Sequence, residues 1–201
     1  MNSKINRRGF LNHSALASAG AALAASAVQS SRAAGQEPRA QGSLPAGKIG
    51  KLTLSRLISG GNLISGWAHS RDLGYVPELM RNYNTDEKVL DTLELLEQHG
   101  VNTIIADPRE RPMRVFRKFW KERGGKIQWI AEGHPKAEDW KTNIQASIDF
   151  GASAVYVQGV IGDRWLKEGH PELLAKCVEF TKSQGVPGGI GAHKLEVIQK
   201  A

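Results

Sequence analysis

The chain has 201 residues, of which 40% are hydrophobic and 23% are charged, and it contains one cysteine. This length and composition predict one globular domain with a sizeable core and exclude an intramolecular disulfide. The formal net charge is +7, but much of it belongs to the amino terminus, so no nucleic-acid partner is expected.

The first residues have the features of an export signal. Residues 6–11 contain an arginine pair followed by phenylalanine and leucine, an alanine-rich stretch comes next, and residues 25–27 have the small-x-small pattern of a signal-peptidase site. Residues 1–27 therefore resemble a twin-arginine signal, which implies the twin-arginine translocase as a partner and a periplasmic or otherwise exported protein. Residues 28–47 lack periodicity and are expected to form a flexible linker. No apolar run approaches the roughly 20 residues of a stable membrane span.

From residue 48 onward the sequence repeats a unit of helix, glycine and apolar strand. The clearest copy is residues 100–107, where Gly100 ends a helix and Asp107 stands at the end of the strand, and further copies begin at residues 124, 151 and 185. Strands separated by helices lie parallel, so the repeats predict an α/β fold, either a (β/α)8 barrel or a doubly wound sheet. Both folds place the ligand site at the carboxyl ends of the strands.

Four amphipathic helices are predicted between these strands. The first begins near residues 84–87 with a capping pattern, and the fourth begins at Pro171 and ends at Gly185. The second carries an outward basic run that is more typical of a solvated face than of a nucleic-acid site, because no aromatic side chain is interleaved with it. Cys177 shares an apolar helix face, which predicts a buried, unreactive thiol.

Three stretches resemble the aldo/keto reductase barrels. Residues 48–62 are similar to that family's opening, in which a hairpin plugs the barrel floor and a Ser-Arg-Leu strand rises into a glycine-rich turn. Residues 100–107 resemble its second strand, which ends in aspartate, and residues 185–193 resemble a later strand with a changed ending. The resemblance implies a TIM barrel over residues 48–201. Because such a barrel cannot close on five strands, the chain is expected to be the amino-terminal part of a longer protein.

The reductase activity of that family depends on NADP and on a tyrosine tuned by lysine, aspartate and histidine. Only the aspartate is matched, at Asp107; Glu132 stands at the lysine position and Gln158 at the histidine position. A glutamate raises the pKa of a nearby phenol instead of lowering it. An NADP-dependent reductase would therefore need its acid from elsewhere, such as Tyr75 or Tyr83 in the long segment over the barrel mouth.

The sequence favours an exported enzyme that acts on a small polar metabolite, such as a sugar or sugar acid, by acid–base or metal-assisted chemistry. Asp107 is a candidate base or ligand, Glu132 a candidate acid or base, and His134 and His193 are candidate ligands or oxyanion partners. Nitrogen and oxygen donors from separate strand ends also predict a possible divalent-metal site, whose ligands would be His69, Asp107, His134 and His193.

The predicted substrate-binding residues come from the strand ends and from the long segment of residues 63–84. They are Asn62, Trp67, His69, Tyr75, Arg109 and Gln158. That segment is either a lid over the site or a packed surface excursion. A further alternative is a non-catalytic carbohydrate-binding barrel that uses Trp67, Tyr75 and Arg109 on its rim, since one fold hosts many functions.

Overall fold

The protein is described by a computed structural model over residues 44–200. The predicted export signal and most of the predicted linker lie outside the described residues. The described chain opens with an antiparallel hairpin of β1 (Ala46–Ile49) and β2 (Leu52–Ser55). The first strand thus begins inside the range assigned to the linker from the sequence.

Five parallel strands form the main sheet, and they lie side by side in the order in which they occur in the chain. They are β3 (Ser59–Gly60), β4 (Thr103–Ala106), β5 (Gln128–Gly133), β6 (Ala154–Val157) and β7 (Gly188–Ile190). The predicted parallel α/β sheet is confirmed. Within residues 44–200 the strand order never reverses, so the topological switch point of a doubly wound sheet is not formed there.

Eight helices connect and flank these strands in the part of the chain that the structure describes. They are α1 (Asn62–Ser65), α2 (Val76–Tyr83), α3 (Asp86–Gln98), α4 (Glu110–Glu122), α5 (Thr142–Phe150), α6 (Gly159–Lys167), α7 (Glu172–Ser183) and α8 (Leu195–Lys200). The four predicted helices correspond to α3, α4, α5 and α7. Over the described range no helix has both the length and the apolar character that crossing a bilayer requires.

Glycines end two of the predicted helices as expected. Gly100, with φ of 79°, follows α3, and Gly185, with φ of 74°, follows α7. Both adopt the left-handed conformation that favours glycine after a helix, and that conformation turns the chain into the next strand. Cys177 of α7 is 1% exposed, and burial raises the pKa of its thiol to about 12, which confirms the buried role predicted for it.

The two faces of the sheet carry different side chains because successive residues of a strand point to opposite sides. On the helix side, Ile104, Trp129 and Val155 join the main core with side chains such as Phe116 and Leu174. On the opposite, inner face, Ile130 and Ala154 pack against Leu54 of the hairpin. The hairpin therefore covers part of the inner face with apolar contacts.

Hydrogen bonds fix the hairpin at the amino-terminal ends of the strands. The Asn102 side chain, just before β4, accepts from the Ser55 amide at 2.8 Å and donates to the Thr53 carbonyl at 3.0 Å. The Gln128 side chain, at the start of β5, donates to the same Thr53 carbonyl at 2.9 Å. The hairpin thus lies at the starts of β4 and β5 and leaves the carboxyl end of the inner face for polar residues.

Replacing Asn102 with alanine should weaken the attachment of the hairpin to the sheet. The Asn102→Ala variant leaves the Ser55 amide and the Thr53 carbonyl without this partner, so we expect the free energy of unfolding to fall by about 2 kcal/mol in a urea titration. The matched control is Asn84→Ala, which removes one exposed 3.4 Å bond to the Leu63 carbonyl and should cost less than about 0.5 kcal/mol. Equal losses in the two variants would contradict the attachment.

Candidate functional site

Three polar side chains lie in a row where β4, β5 and β6 end. Ala106 pairs with Ala131 and Glu132 pairs with Tyr156 in the sheet register, and Asp107 is the next residue after Ala106. Adjacent strands are about 4.8 Å apart, so Asp107, Glu132 and Tyr156 stand at neighbouring positions along one end of the sheet. At this end the parallel strands reach their carboxyl termini, and α/β enzymes have their active sites there.

The Asp107 carboxylate is buried and is held by two hydrogen-bond donors and one ion pair. It is 4% exposed, and it accepts from Ser65 Oγ at 2.7 Å and from Trp67 Nε1 at 2.9 Å. Arg109 Nε lies 3.2 Å from the same Oδ2 atom that Trp67 contacts. These donors compensate for the loss of solvation that a buried carboxylate suffers. They also fix the segment after β3 over the end of β4.

Arg109 is held in place on two sides. Its Nε contacts Asp107, and its guanidinium carbon lies 4.1 Å from the centre of the Trp67 ring. The Arg109 side chain is 48% exposed, and Trp67 is 45% exposed. An arginine over an aromatic face gains a cation–π contact and loses side-chain freedom. Arg109 therefore points a positioned guanidinium toward solvent beside the row of polar residues.

Glu132 lies between a tyrosine and a histidine and is hydrogen-bonded to both. Tyr156 Oη donates to Glu132 Oε2 at 2.7 Å, and His134 Nε2 lies 3.1 Å from Glu132 Oε1. The His134 amide also donates to the Asn143 side-chain oxygen at 2.7 Å, which fixes the chain after β5. When Nε2 carries the proton that contacts Glu132, the other ring nitrogen, Nδ1, is an acceptor. The result is a linear Tyr–Glu–His chain.

Tyr156 is a neutral donor in this chain. Burial raises the pKa of Tyr156, and the hydrogen bond to Glu132 and the negative charge of Glu132 raise it further, to well above its usual range. Gly191, the residue after β7, makes room for the ring, because a Cβ there would lie 3.1 Å from Tyr156 Cε2. The phenol proton is therefore kept on Tyr156 at neutral pH.

A second histidine–carboxylate pair follows β7. His193 contacts Asp163 of α6 through its ring Nδ1, 2.8 Å from Oδ2, and through its amide, 3.1 Å from Oδ1. Desolvation by burial raises the pKa of Asp163, but the hydrogen bonds and charge of His193 outweigh it and hold the pKa below its usual range. The pair ties the end of β7 to α6, and the His193 side chain is 66% exposed.

The other predicted substrate-binding residues have separate surroundings. Asn62 Nδ2 lies 3.2 Å from His69 Nε2, so these two residues are partners in the loop after β3. Gln158 accepts from the Val160 amide at 2.9 Å and from the Ile161 amide at 3.3 Å, which makes it the cap of α6. Tyr75 begins α2 and is 65% exposed.

The predicted metal site is not formed by the side chains as they stand. Each of its histidines pairs with a different group: His69 with Asn62, His134 with Glu132, and His193 with Asp163. Over residues 44–200, no three His, Cys, Asp or Glu side chains come together in a way that could hold a metal ion. The fourth predicted ligand, Asp107, has its own donors, so the described side chains do not bring the four predicted ligands together and the metal site stays a prediction.

Three residues of the site were not singled out from the sequence. They are Ser65, Tyr156 and Asp163. Alternation along β6 would have found Tyr156, because it is two residues beyond the inward-facing Ala154 just as Glu132 is two beyond Ile130. Ser65 and Asp163 lie in helices, and the residues that they contact, Asp107 and His193, are distant in sequence, so no local pattern points to them.

Comparisons of the chain with protein-family models, with curated proteins and with solved structures find no match. The similarity to aldo/keto reductases therefore stays a prediction that depends on three short motifs. The function has to be inferred from the geometry and chemistry of the residues themselves.

The raised pKa of Tyr156 predicts a distinct titration. The ultraviolet signal of phenol ionisation should not contain Tyr156 near pH 10.0, the ordinary value for tyrosine, so the native protein and Tyr156→Phe should give the same curve there and differ only at higher pH. In Glu132→Gln the pKa of Tyr156 should fall, because the charge is lost while the burial stays. A Tyr156 signal at its ordinary pH would contradict the buried pairing.

The same pKa shift sets the sign of a stability effect. Above pH 10.0 the unfolded chain loses the Tyr156 proton while the native state retains it, so the unfolded state is favoured as the pH rises. The free energy of unfolding of the native protein, measured with urea, should therefore fall more steeply with pH above that value than the free energy of unfolding of Tyr156→Phe. Parallel pH profiles for the two proteins would contradict the shift.

Proposed function

We propose that the protein is an exported enzyme of the (β/α)8-barrel class that acts on a small polar metabolite, of the sugar or sugar-acid type, by acid–base chemistry. The observation that carries the proposal is the hydrogen-bonded chain of Tyr156, Glu132 and His134 at the carboxyl ends of β5 and β6. Export follows from the signal-like residues 1–27 and belongs to the same proposal.

The order and direction of the strands support the barrel. Parallel strands that follow one another in chain order, with helices on one face, are the pattern of a (β/α)8 barrel, whose inner face is filled with side chains. The β1–β2 hairpin lies at the amino-terminal ends of β4 and β5, as a plug in a barrel floor would. The polar row lies at the opposite end, where barrel enzymes bind their substrates.

His134 is the proposed general base. Glu132 accepts the hydrogen bond from His134 Nε2, which leaves the Nδ1 lone pair for a substrate proton and stabilises the imidazolium that forms. A carboxylate serves the same purpose in the Ser-His-Asp triad, where it orients the histidine and favours its charged form. The proton would come from a carbon or hydroxyl next to a substrate carbonyl, as in isomerisation, epimerisation or lyase chemistry.

Tyr156 holds the other oxygen of Glu132. The phenol of Tyr156 is protonated at neutral pH, as that of any tyrosine is, and its raised pKa extends this state to alkaline pH, so Tyr156 continues to donate while Glu132 supports the charge on His134. The same raised pKa disfavours Tyr156 as the acid of an NADP-dependent reductase, because a reductase tyrosine needs a neighbouring cation that lowers its pKa, so that alternative would still depend on Tyr75 or Tyr83. Acid–base chemistry without hydride transfer is therefore the better-supported proposal, ahead of a reductase and of a non-catalytic carbohydrate binder.

Deuterium exchange tests this proposal without knowledge of the product. The protein would be incubated in D2O with a panel of aldoses, ketoses and aldonates, and proton NMR would follow loss of signal at carbons next to the carbonyl or carboxyl group. We expect exchange with at least one compound. In Glu132→Gln and in His134→Asn the exchange rate should fall by about a hundredfold or more. Tyr156→Phe should show a smaller loss, because it removes a donor to Glu132 only.

The chain offers a matched control for the histidine variant. His170 and Glu172 also form a histidine–glutamate pair, with Nδ1 3.5 Å from Oε1, at the start of α7. His170→Asn should keep the exchange rate of the native protein. Exchange that survives in Glu132→Gln and His134→Asn would refute the assigned roles, and ligand binding without any exchange would favour the non-catalytic alternative.

A further inference from the structure

We propose that Arg109 is an oxyanion-binding residue, so that the molecule bound at this edge of the sheet carries a carboxylate or a phosphate group. The inference deepens the proposed function and rests on it for the location of the reacting atoms. The proposed binding of the anion depends only on the contacts of Arg109 itself.

The guanidinium of Arg109 is positioned by groups that leave one side of it free to bind. Asp107 contacts Nε at 3.2 Å, and the Trp67 ring lies under the guanidinium carbon at 4.1 Å. Over residues 44–200, no hydrogen bond is formed by Nη1 or Nη2 of Arg109, and the atom of Arg109 nearest to a carboxylate is Nε. These two nitrogens form the fork that binds carboxylate and phosphate oxygens in pairs.

The other arginines next to Arg109 in the sequence differ in this respect. Arg111 donates through Nε to Asp86 and through Nη2 to the Asn84 carbonyl. Arg114 donates through Nε and Nη2 to the two oxygens of Asp86. Their guanidinium groups are used to hold α3 and α4 together, whereas that of Arg109 forms an ion pair through Nε and lies over the Trp67 ring.

The Asp107 carboxylate is satisfied without the two Nη atoms of Arg109. Its carboxylate already accepts from Ser65 and Trp67, so two neutral donors satisfy it before the arginine is counted. The ion pair with Nε therefore orients the guanidinium and leaves its fork half-exposed toward solvent. A guanidinium held in this way loses little side-chain freedom when an anion binds.

The position of Arg109 suits an anionic end of the proposed substrate. Asp107 ends β4 and Glu132 stands on the neighbouring strand, about 4.8 Å away in the sheet. A small molecule held by its carboxylate or phosphate at Arg109 would place the next carbons near His134 and Glu132. A neutral sugar would leave the guanidinium fork without a partner.

Calorimetric titration of the full chain tests the inference directly. The probes are D-gluconate as a carboxylate, inorganic phosphate, and D-glucose as a neutral compound, all at one ionic strength set with chloride. We expect at least one of the two anions to bind and glucose not to bind. Arg109→Gln should weaken anion binding about tenfold or more, and Arg109→Lys should weaken it too, because lysine keeps the charge but lacks the fork.

Arg117→Gln is the matched control. Arg117 lies in α4 and its guanidinium also covers an aromatic ring, that of Phe150, at 5.0 Å, but it is remote from the end of β4. This variant should bind the anions as the native protein does. Circular dichroism melting of the Arg109 variants checks that each is folded. If Arg109→Gln is not folded, Arg109→Lys, which keeps a cation beside Asp107, is the test variant.

The outcomes separate the inference from the proposed function. Binding of gluconate alone identifies a carboxylate, and binding of phosphate alone identifies a phosphorylated compound. Anion binding that requires Arg109 in a protein without deuterium exchange supports the inference and refutes the proposed enzyme. Exchange that requires Glu132 but is unaffected in Arg109→Gln, equal binding of glucose, or no binding of either anion refutes the inference.

Discussion

The need to satisfy a buried carboxylate organises the mouth of this sheet. Asp107 ends β4 with 4% of its surface exposed, and such a group is tolerated only with donors around it. Ser65 and Trp67 supply two donors from the segment after β3, and Arg109 adds an ion pair from the start of α4. One side chain thus fixes two loops and, through them, the indole and guanidinium groups that face solvent.

The inner face of the sheet has an apolar part for stability and a polar end for chemistry. Near the strand starts, Ile130 and Ala154 pack under Leu54 of the hairpin. Two residues further along the same strands, Glu132 and Tyr156 are hydrogen-bonded to each other. Because the helices pack on the opposite face, changes in these polar residues leave the main core in place.

The sequence was sufficient for features that depend on neighbours along the chain. Helix ends at Gly100 and Gly185 and the parallel strands follow from local patterns. Helix α6 was missed because glycines obscured its periodicity, yet Gly162 is needed there, since a Cβ would lie 2.5 Å from the Gly191 carbonyl oxygen. Strand-end positions did not reveal the partners of the predicted metal ligands, and His193 pairs with a residue of that missed helix.

The small residues of β7 have a consequence for how this site can diverge. Gly191 leaves space that the Tyr156 ring occupies, with 3.1 Å between Tyr156 Cε2 and the position of a Cβ. A larger residue at position 191 would crowd the Tyr156 ring, which donates to Glu132, and its Cβ would also lie 3.0 Å from the backbone nitrogen of Gly159 and 3.1 Å from the Val157 carbonyl oxygen. Position 191 is therefore expected to stay glycine in related sequences, because the backbone contacts remain whatever side chain stands at position 156.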